Sequence, residues 1–108
     1  MEQNANNESR LKITMNQNGA EYTFLLDGRL DTLTSPDLED QVEAVLGQAE
    51  KIIFDLGKLK YISSAGLRVL LGAAQEMEEK GEMILRNLTK PVLEVFDVTG
   101  FSDAFQIE

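Results

Sequence analysis

The fold is decided by residues 51–77, which read KIIFDLGKLKYISSAGLRVLLGAAQEM. Three consecutive apolar residues follow Lys51, and such a run is typical of a strand covered on both faces in a parallel sheet flanked by helices. We expect this strand to end near Leu56. A short connection should then lead to Ser63 and Ser64, which predict a helix start because serine is a favoured cap residue. The spacing of the apolar residues predicts that the buried side of this helix consists of Leu67, Leu70, Leu71, Ala74 and Met77.

The sequence on both sides continues this alternation of strands and helices. The other predicted elements are a hairpin over residues 11–26, a helix beginning at residues 34–37, a strand over 82–87, a helix over 89–100 and a short strand over 105–107. Strand–helix–strand units need parallel pairing and a hairpin needs antiparallel pairing, so we predict an α/β domain with a mixed sheet and helices packed against it. Residues 1–10 are polar and lack periodicity, so we expect a disordered arm before a single domain over residues 11–108.

The composition excludes several classes of function. The chain has 108 residues and contains no Cys and no His. Their absence removes thiolate chemistry, imidazole bases and almost every zinc or transition-metal site, so neither a metal nor a cofactor is expected. The 10 Lys and Arg residues against 19 Asp and Glu residues give a net charge of −9. This charge repels nucleic acid and anionic membrane surfaces and therefore favours a protein partner.

The hydropathy pattern contains no membrane signal. No apolar run approaches the roughly 20 residues that span a bilayer. Residues 1–10, MEQNANNESR, also lack the apolar segment of a signal peptide. We therefore expect a cytoplasmic protein.

The two serines at the predicted helix start carry the most chemical information. One should cap the helix and the other should expose its hydroxyl at the carboxyl end of a central strand, although two cap residues with no further role also fit the spacing. A serine hydrolase is not supported, because Ile62 stands where a nucleophile elbow has glycine and no His can act as base. Gly57-Lys58 lacks the other residues of a phosphate-binding loop. An accessible serine without its own base is a substrate for another enzyme.

Three separated motifs resemble those of one protein family. Residues 55–71, DLGKLKYISSAGLRVLL, resemble the characteristic sequence of STAS domains, in particular of bacterial anti-sigma factor antagonists. Residues 28–31, GRLD, resemble the family's motif after the opening hairpin, and residues 99–101, TGF, resemble the end of its last helix. The resemblance extends over about residues 11–107. It implies a small mixed sheet of four or five strands with helices packed against it.

The resemblance also implies a partner switch. In this family the unphosphorylated protein binds an anti-sigma factor that is a serine kinase, phosphorylation of one serine ends the binding, and a metal-dependent serine phosphatase restores it. That serine corresponds here to Ser64. The family's preceding Asp is replaced by Ser63, which is therefore a rival phosphoacceptor. Asp31 matches the family's other acid and is expected near the site.

The resemblance and the helical spacing together predict a partner-binding surface. The residues assigned to it are Asp31, Ser63, Ala65, Gly66, Arg68, Val69 and Gly72. The helical part combines small residues with an Arg and an exposed Val, which would let another chain approach closely. Substitution of Arg68 or Val69 is expected to weaken partner binding without loss of thermal stability.

Other functions remain open at this point. The main alternative is a STAS scaffold or adaptor that is never phosphorylated, for instance a subunit of a signalling or lipid-transport complex. A nucleotide-binding sensor is a weaker alternative, since the chain has no loop that would hold phosphates. Enzyme activity is not expected, and the chain should be a monomer or a weak homodimer.

Overall fold

The computed structural model describes residues 10–108. The predicted disordered arm over residues 1–10 thus lies outside the described residues, except for Arg10, which forms a turn before the first strand. The backbone amide of Arg29 donates a hydrogen bond to the backbone oxygen of Arg10 at 2.6 Å. The described chain is therefore attached to the sheet from its first residue.

A mixed five-stranded sheet forms the centre of the fold. The elements in chain order are β1 (Leu11–Asn18), β2 (Glu21–Leu30), α1 (Ser35–Leu46), β3 (Lys51–Ile62), α2 (Ser64–Met77), β4 (Glu82–Arg86), α3 (Lys90–Thr99), a 3₁₀ turn (Ser102–Ala104) and β5 (Gln106–Ile107). The strands lie in the order β1-β2-β3-β4-β5; β1 and β2 pair antiparallel, and all other neighbours pair parallel. The predicted hairpin, the mixed sheet and the short last strand are confirmed.

The chain reversals follow the local chemistry read from the sequence. Gly19 lies at the hairpin turn with φ +64°, and Gly100 ends α3 with φ +80°. Glycine adopts such left-handed conformations without steric conflict. Phe101 follows Gly100, donates its amide to the oxygen of Phe96 at 2.9 Å and packs against the core, as is common at this type of helix end.

β3 is longer than its sequence predicts. The prediction that the strand ends near Leu56 is wrong, because β3 continues to Ile62 in parallel pairing with β2. The register between the two strands shifts twice, between Asp55 and Lys58 and between Leu59 and Tyr61, and at each shift β3 has one residue more than β2. The predicted short connection is therefore part of β3, and only Ser63 separates the end of β3 from the start of α2.

The three helices within residues 10–108 all contribute to one hydrophobic core that also includes alternate side chains of β2. The core members from the helices are Leu38, Val42, Val45, Leu67, Leu70, Ala73, Met77, Val92 and Phe96. The stripe predicted for α2 is correct at Leu67, Leu70 and Met77, whereas Leu71 and Ala74 are only half-buried and Ala73 is buried instead. The buried side is rotated because α2 packs against α1 as well as against β3 and β4.

Candidate functional site

The candidate site lies where β2 and β3 end side by side. Leu30 is paired with Ile62, and the amide of Ser63 donates a hydrogen bond to the oxygen of Leu30 at 2.9 Å. The loop that begins at Asp31 and the first turn of α2 are therefore neighbours. Ligand sites in open α/β sheets lie at such carboxyl ends of parallel strands.

The two serines have different roles. Ser63 is the N-cap of α2, with extended backbone (φ −100°, ψ 175°), and its Oγ accepts a hydrogen bond from the amide of Gly66 at 3.4 Å. Ser64 is the first helical residue and its side chain is exposed. The prediction that one serine caps the helix while the other faces solvent is confirmed. An aspartate at position 63 would serve the same cap, so Ser63 in place of the family's Asp preserves the helix start.

Gly66 belongs to the packing under the helix and not to its exposed side. It is buried, and a Cβ placed there would lie 2.7 Å from Cγ of Leu30 and 3.0 Å from Cγ1 of Ile62. The assignment of Gly66 to the partner-binding surface is thus wrong. The absence of a side chain lets the first turn of α2 rest directly on the ends of both strands.

Asp31 organises the loop beside the serines. Its Oδ1 accepts hydrogen bonds from the amides of Leu33 and Thr34 at 3.0 and 3.1 Å and from Oγ1 of Thr34 at 3.2 Å. Its Oδ2 lies 3.6 Å from Arg10 and 3.8 Å from Arg29. Burial raises the pKa of Asp31, but these hydrogen bonds and the charge of Arg10 outweigh it and hold the pKa below its ordinary value of 3.8. The carboxylate thus stabilises the conformation of the loop over residues 31–34.

We expect Asp31→Asn to lower the free energy of unfolding by about 1 kcal/mol at neutral pH, because the amide keeps Oδ1 but removes the charge. A carboxyl with a depressed folded-state pKa stabilises the fold above its unfolded pKa and loses that contribution as the pH falls through its folded value. The difference between wild type and variant should therefore shrink in acid. Thermal unfolding at neutral pH and at about pH 3 measures it, with Asp27→Asn as the control. A difference independent of pH would contradict this role.

The exposed side of α2 forms one wall of a groove. Arg68 and Gly72 are exposed, whereas Ala65 and Val69 are half-buried. Val69 packs against the core, so the prediction that Val69 is exposed is wrong, and its substitution is expected to lower stability as well as binding. α1 forms the opposite wall, and a hollow of about 200 Å³ between the helices is lined by Glu39, Val42, Glu43, Leu46, Arg68, Val69, Gly72, Ala73 and Glu76. A second hollow of similar size continues it towards Thr32 and Ala65, near Ser64.

Sequence reasoning missed three exposed residues beside the serines. The guanidinium of Arg29 stacks over the ring of Tyr61 at 4.4 Å, and the two residues are paired across β2 and β3. Tyr61 is 41% exposed and Leu33 is 69% exposed. Tyrosine and arginine are enriched at the energetic centres of protein interfaces, and exposed leucine adds apolar area. Tyr61 lies three residues before Ser64, but only the register of the sheet shows that Arg29 joins it.

The described residues offer little to a metal or a cofactor. Residues 10–108 contain no group of three or more Asp or Glu side chains placed to hold a metal ion. A separate hollow of about 470 Å³ includes Lys12, Lys58, Asp55 and Asn87 in its lining. There the side-chain amide of Asn87 donates to Oδ2 of Asp55 at 3.2 Å, and the amide of Gly57 donates to Oδ1 at 3.0 Å. Both carboxylate oxygens of Asp55 thus already accept hydrogen bonds from the protein itself. None of the described helices is long and apolar enough to cross a bilayer.

Taken together, the fold and the site define a small α/β domain that presents an exposed serine at a helix start beside an interhelical groove. The family model described as the STAS domain matches residues 12–108, and the chain belongs to this family. The chain is 35% identical over 99 residues to BtrV of Bordetella bronchiseptica, whose name gives it as a candidate anti-sigma factor antagonist; the match covers 90% of this chain and 85% of that protein.

Solved structures share the fold. The unphosphorylated form of the anti-sigma factor antagonist SpoIIAA matches with a TM-score of 0.79 at 21% identity, covering 90% of this chain and 88% of the other. The phosphorylated form of the Bacillus cell fate determinant SpoIIAA matches with a TM-score of 0.72 at 21% identity, covering 90% and 91%. The five-stranded mixed sheet with three helices is therefore the architecture of this family.

Proposed function

We propose that this protein is an anti-sigma factor antagonist that works by partner switching. Unphosphorylated, it binds an anti-sigma factor that is also a serine kinase; phosphorylated on Ser64, it is released, and a serine phosphatase restores it. The observation that carries the proposal is that Ser64, the first residue of α2, is exposed and that its neighbour Ala65 lines a groove that a partner can fill. The names of its relatives, and the solved phosphorylated form of SpoIIAA, support the same function.

The surface around Ser64 fits a protein partner. Leu33 and the Arg29–Tyr61 stack lie on the loop and strand ends beside it, and Arg68 follows Ser64 by one helical turn. Asp31 contributes indirectly, since its carboxylate shapes the loop that carries Leu33. We assign the partner contacts to Leu33, Tyr61, Ala65, Arg68, Val69 and Gly72.

The protein supplies the acceptor and not the catalysis. In the transfer, Oγ of Ser64 bonds to the γ-phosphorus of the ATP held by the kinase, the bond to the β,γ-bridging oxygen breaks, ADP leaves, and the serine proton passes to a base of the kinase. This chain contains no His, and Asp31 already accepts three hydrogen bonds in its own loop. A non-enzymatic regulator that acts in the cytoplasm, where its kinase finds ATP, fits these features.

The test is phosphorylation by the purified kinase-type anti-sigma factor from the same genome, with the phosphate located by mass spectrometry. We expect one phosphate on Ser64 and none on Ser64→Ala. Ser63→Ala should still be phosphorylated at Ser64, with a loss of stability of about 1 kcal/mol from the missing cap. Phosphate on Ser63 would show that Ser63, and not Ser64, is the phosphoacceptor. Tight binding without phosphorylation, unchanged by Ser64→Asp, would instead identify a scaffold or adaptor.

A further inference from the structure

Gly72 lies in the interior of α2, at a position where neither the backbone conformation nor the packing requires glycine. Its backbone is not in the left-handed region, and a Cβ placed there would meet no atom within 4 Å. Glycine in a helix interior is destabilising relative to alanine. Gly66 and Gly81 differ, since a Cβ at either position would collide with the chain. The domain itself would therefore be more stable with alanine at position 72.

Gly72 lies at a point where a second helix could pack against α2. Gly72 is exposed and lines the groove between α1 and α2, whose apolar lining is Val42, Leu46, Val69 and Ala73. Helices pack at 8–10 Å depending on the size of the side chains between them, so a glycine permits the closest approach. Another helix could thus rest on the backbone of α2 at this point.

The charges of the groove select the kind of helix. α1 carries Asp37, Glu39, Asp40 and Glu43 and no basic residue. On α2, Arg68 adds one positive charge near Ser64. At the other end of α2, Oε1 of Glu76 lies 3.7 Å from Nζ of Lys80. The two helices together therefore present a net negative surface, which attracts a basic segment and repels an acidic one.

We infer that the groove between α1 and α2 receives a basic amphipathic helix of the protein partner, which lies over Gly72 and places its cations along the acids of α1. This inference rests on the proposed function, because it assigns the docking element of that same partner. At 1.5 Å per residue, Gly72 is about 12 Å and Glu76 about 18 Å along the helix from Ser64. Both distances exceed the Debye length of about 8 Å at physiological ionic strength. Recognition at the Gly72 end of the groove is thus separate from the charge change at the serine, whereas Arg68, about 6 Å along the helix from Ser64, is close enough to respond to it.

The experiment measures binding of the purified kinase-type anti-sigma factor, loaded with ADP, to variants of the full chain. Gly72→Ala should raise the melting temperature by about 4 °C and yet weaken binding about threefold or more. Gly72→Trp should weaken binding at least about thirtyfold by filling the groove, whereas Gln75→Trp on the same helix should change it less than about threefold. Glu43→Lys should weaken binding about tenfold at low salt and less at high salt, and Glu94→Lys on α3 should have little effect.

The outcomes separate the inference from the proposed function. If the kinase binds and phosphorylates wild type but binds the Gly72 and Glu43 variants equally well, the groove assignment is wrong and the switch at Ser64 stands. Tighter binding by Glu43→Lys would also overturn it, because the docking segment would then be acidic. If the kinase neither binds nor phosphorylates wild type, the proposed function is wrong and the groove assignment falls with it. Gly72→Ala keeps the test decisive even if Gly72→Trp does not fold.

Discussion

Phosphorylation of Ser64 is expected to weaken binding to the anti-sigma factor kinase by a factor of about 100 to several hundred. The phosphate adds about −1.5 to −2 charges at the centre of the proposed contact surface. Closing the interface over it would remove water from a dianion, which is costly. A penalty of about 3 to 4 kcal/mol accounts for the expected loss.

The free domain should tolerate the same modification. Ser64 is the first residue of α2, where unpaired backbone amides and the positive end of the helix dipole stabilise an anion by about 0.3 to 1 kcal/mol. Its side chain is exposed, so the phosphate remains in water. We therefore expect the melting temperature of the phosphorylated domain to equal or slightly exceed that of the unmodified one. Release then needs no conformational change.

Calorimetric titration of the ADP-loaded kinase measures this effect, because ADP prevents transfer during the measurement. Ser64→Ala should bind like wild type, and Ser64→Asp, with a single charge, should bind more weakly but less so than the phosphorylated protein. Asn18→Asp is the matched control: it adds the same charge at the hairpin, which lies at the opposite end of β2. An equal loss from both aspartates would show that net charge acts at a distance and that Ser64 is not in the interface.

The elements that local chemistry determines were predictable. Residues 18–19 at the hairpin, Ser63 at the start of α2 and Gly100 at the end of α3 each act on their own few neighbours. The family resemblance added the proposal that Ser64 is the phosphoacceptor. The sequence also predicts that one of the two serines caps the helix and the other is exposed, since a helix has one N-cap. The structure shows that Ser63 is the cap.

The parts that depend on contacts between distant segments were not predictable. Residues 57–61 look like a loop because they contain a glycine and two lysines, yet pairing with β2 keeps them in β3. Helical periodicity places Gly66 on a side of α2 but cannot show that Leu30 lies against it. The stack of Arg29 on Tyr61 depends on cross-strand register, which no single strand encodes. Part of the site is thus determined by local sequence, and part depends on how the strands pair in the sheet.

The second large effect is expected at Gly28, which lies in the motif next to the site. Gly28 has φ +122°, and a Cβ there would lie 2.3 Å from the backbone oxygen of Arg10. That oxygen accepts the amide of Arg29, so the backbone of Arg10 cannot move away without breaking the bond. Arg29 also stacks on Tyr61, and the strand leads directly into Asp31. Any side chain at position 28 therefore disturbs both the sheet edge and the loop beside the serines.

We expect Gly28→Ala to lower the free energy of unfolding by about 2 to 4 kcal/mol, from backbone strain together with the collision. Two other glycines provide a graded series. Gly19→Ala adds the strain alone, since φ is +64° but no atom lies within 4 Å, and should lose about 1 kcal/mol. Gly47→Ala adds neither, because φ is −67° and the space is open, and should be neutral or slightly stabilising. Denaturant unfolding of the three variants gives the order. Equal losses at Gly19 and Gly28 would mean that the close approach of Arg10 contributes nothing and that the motif's glycine serves the turn of the backbone alone.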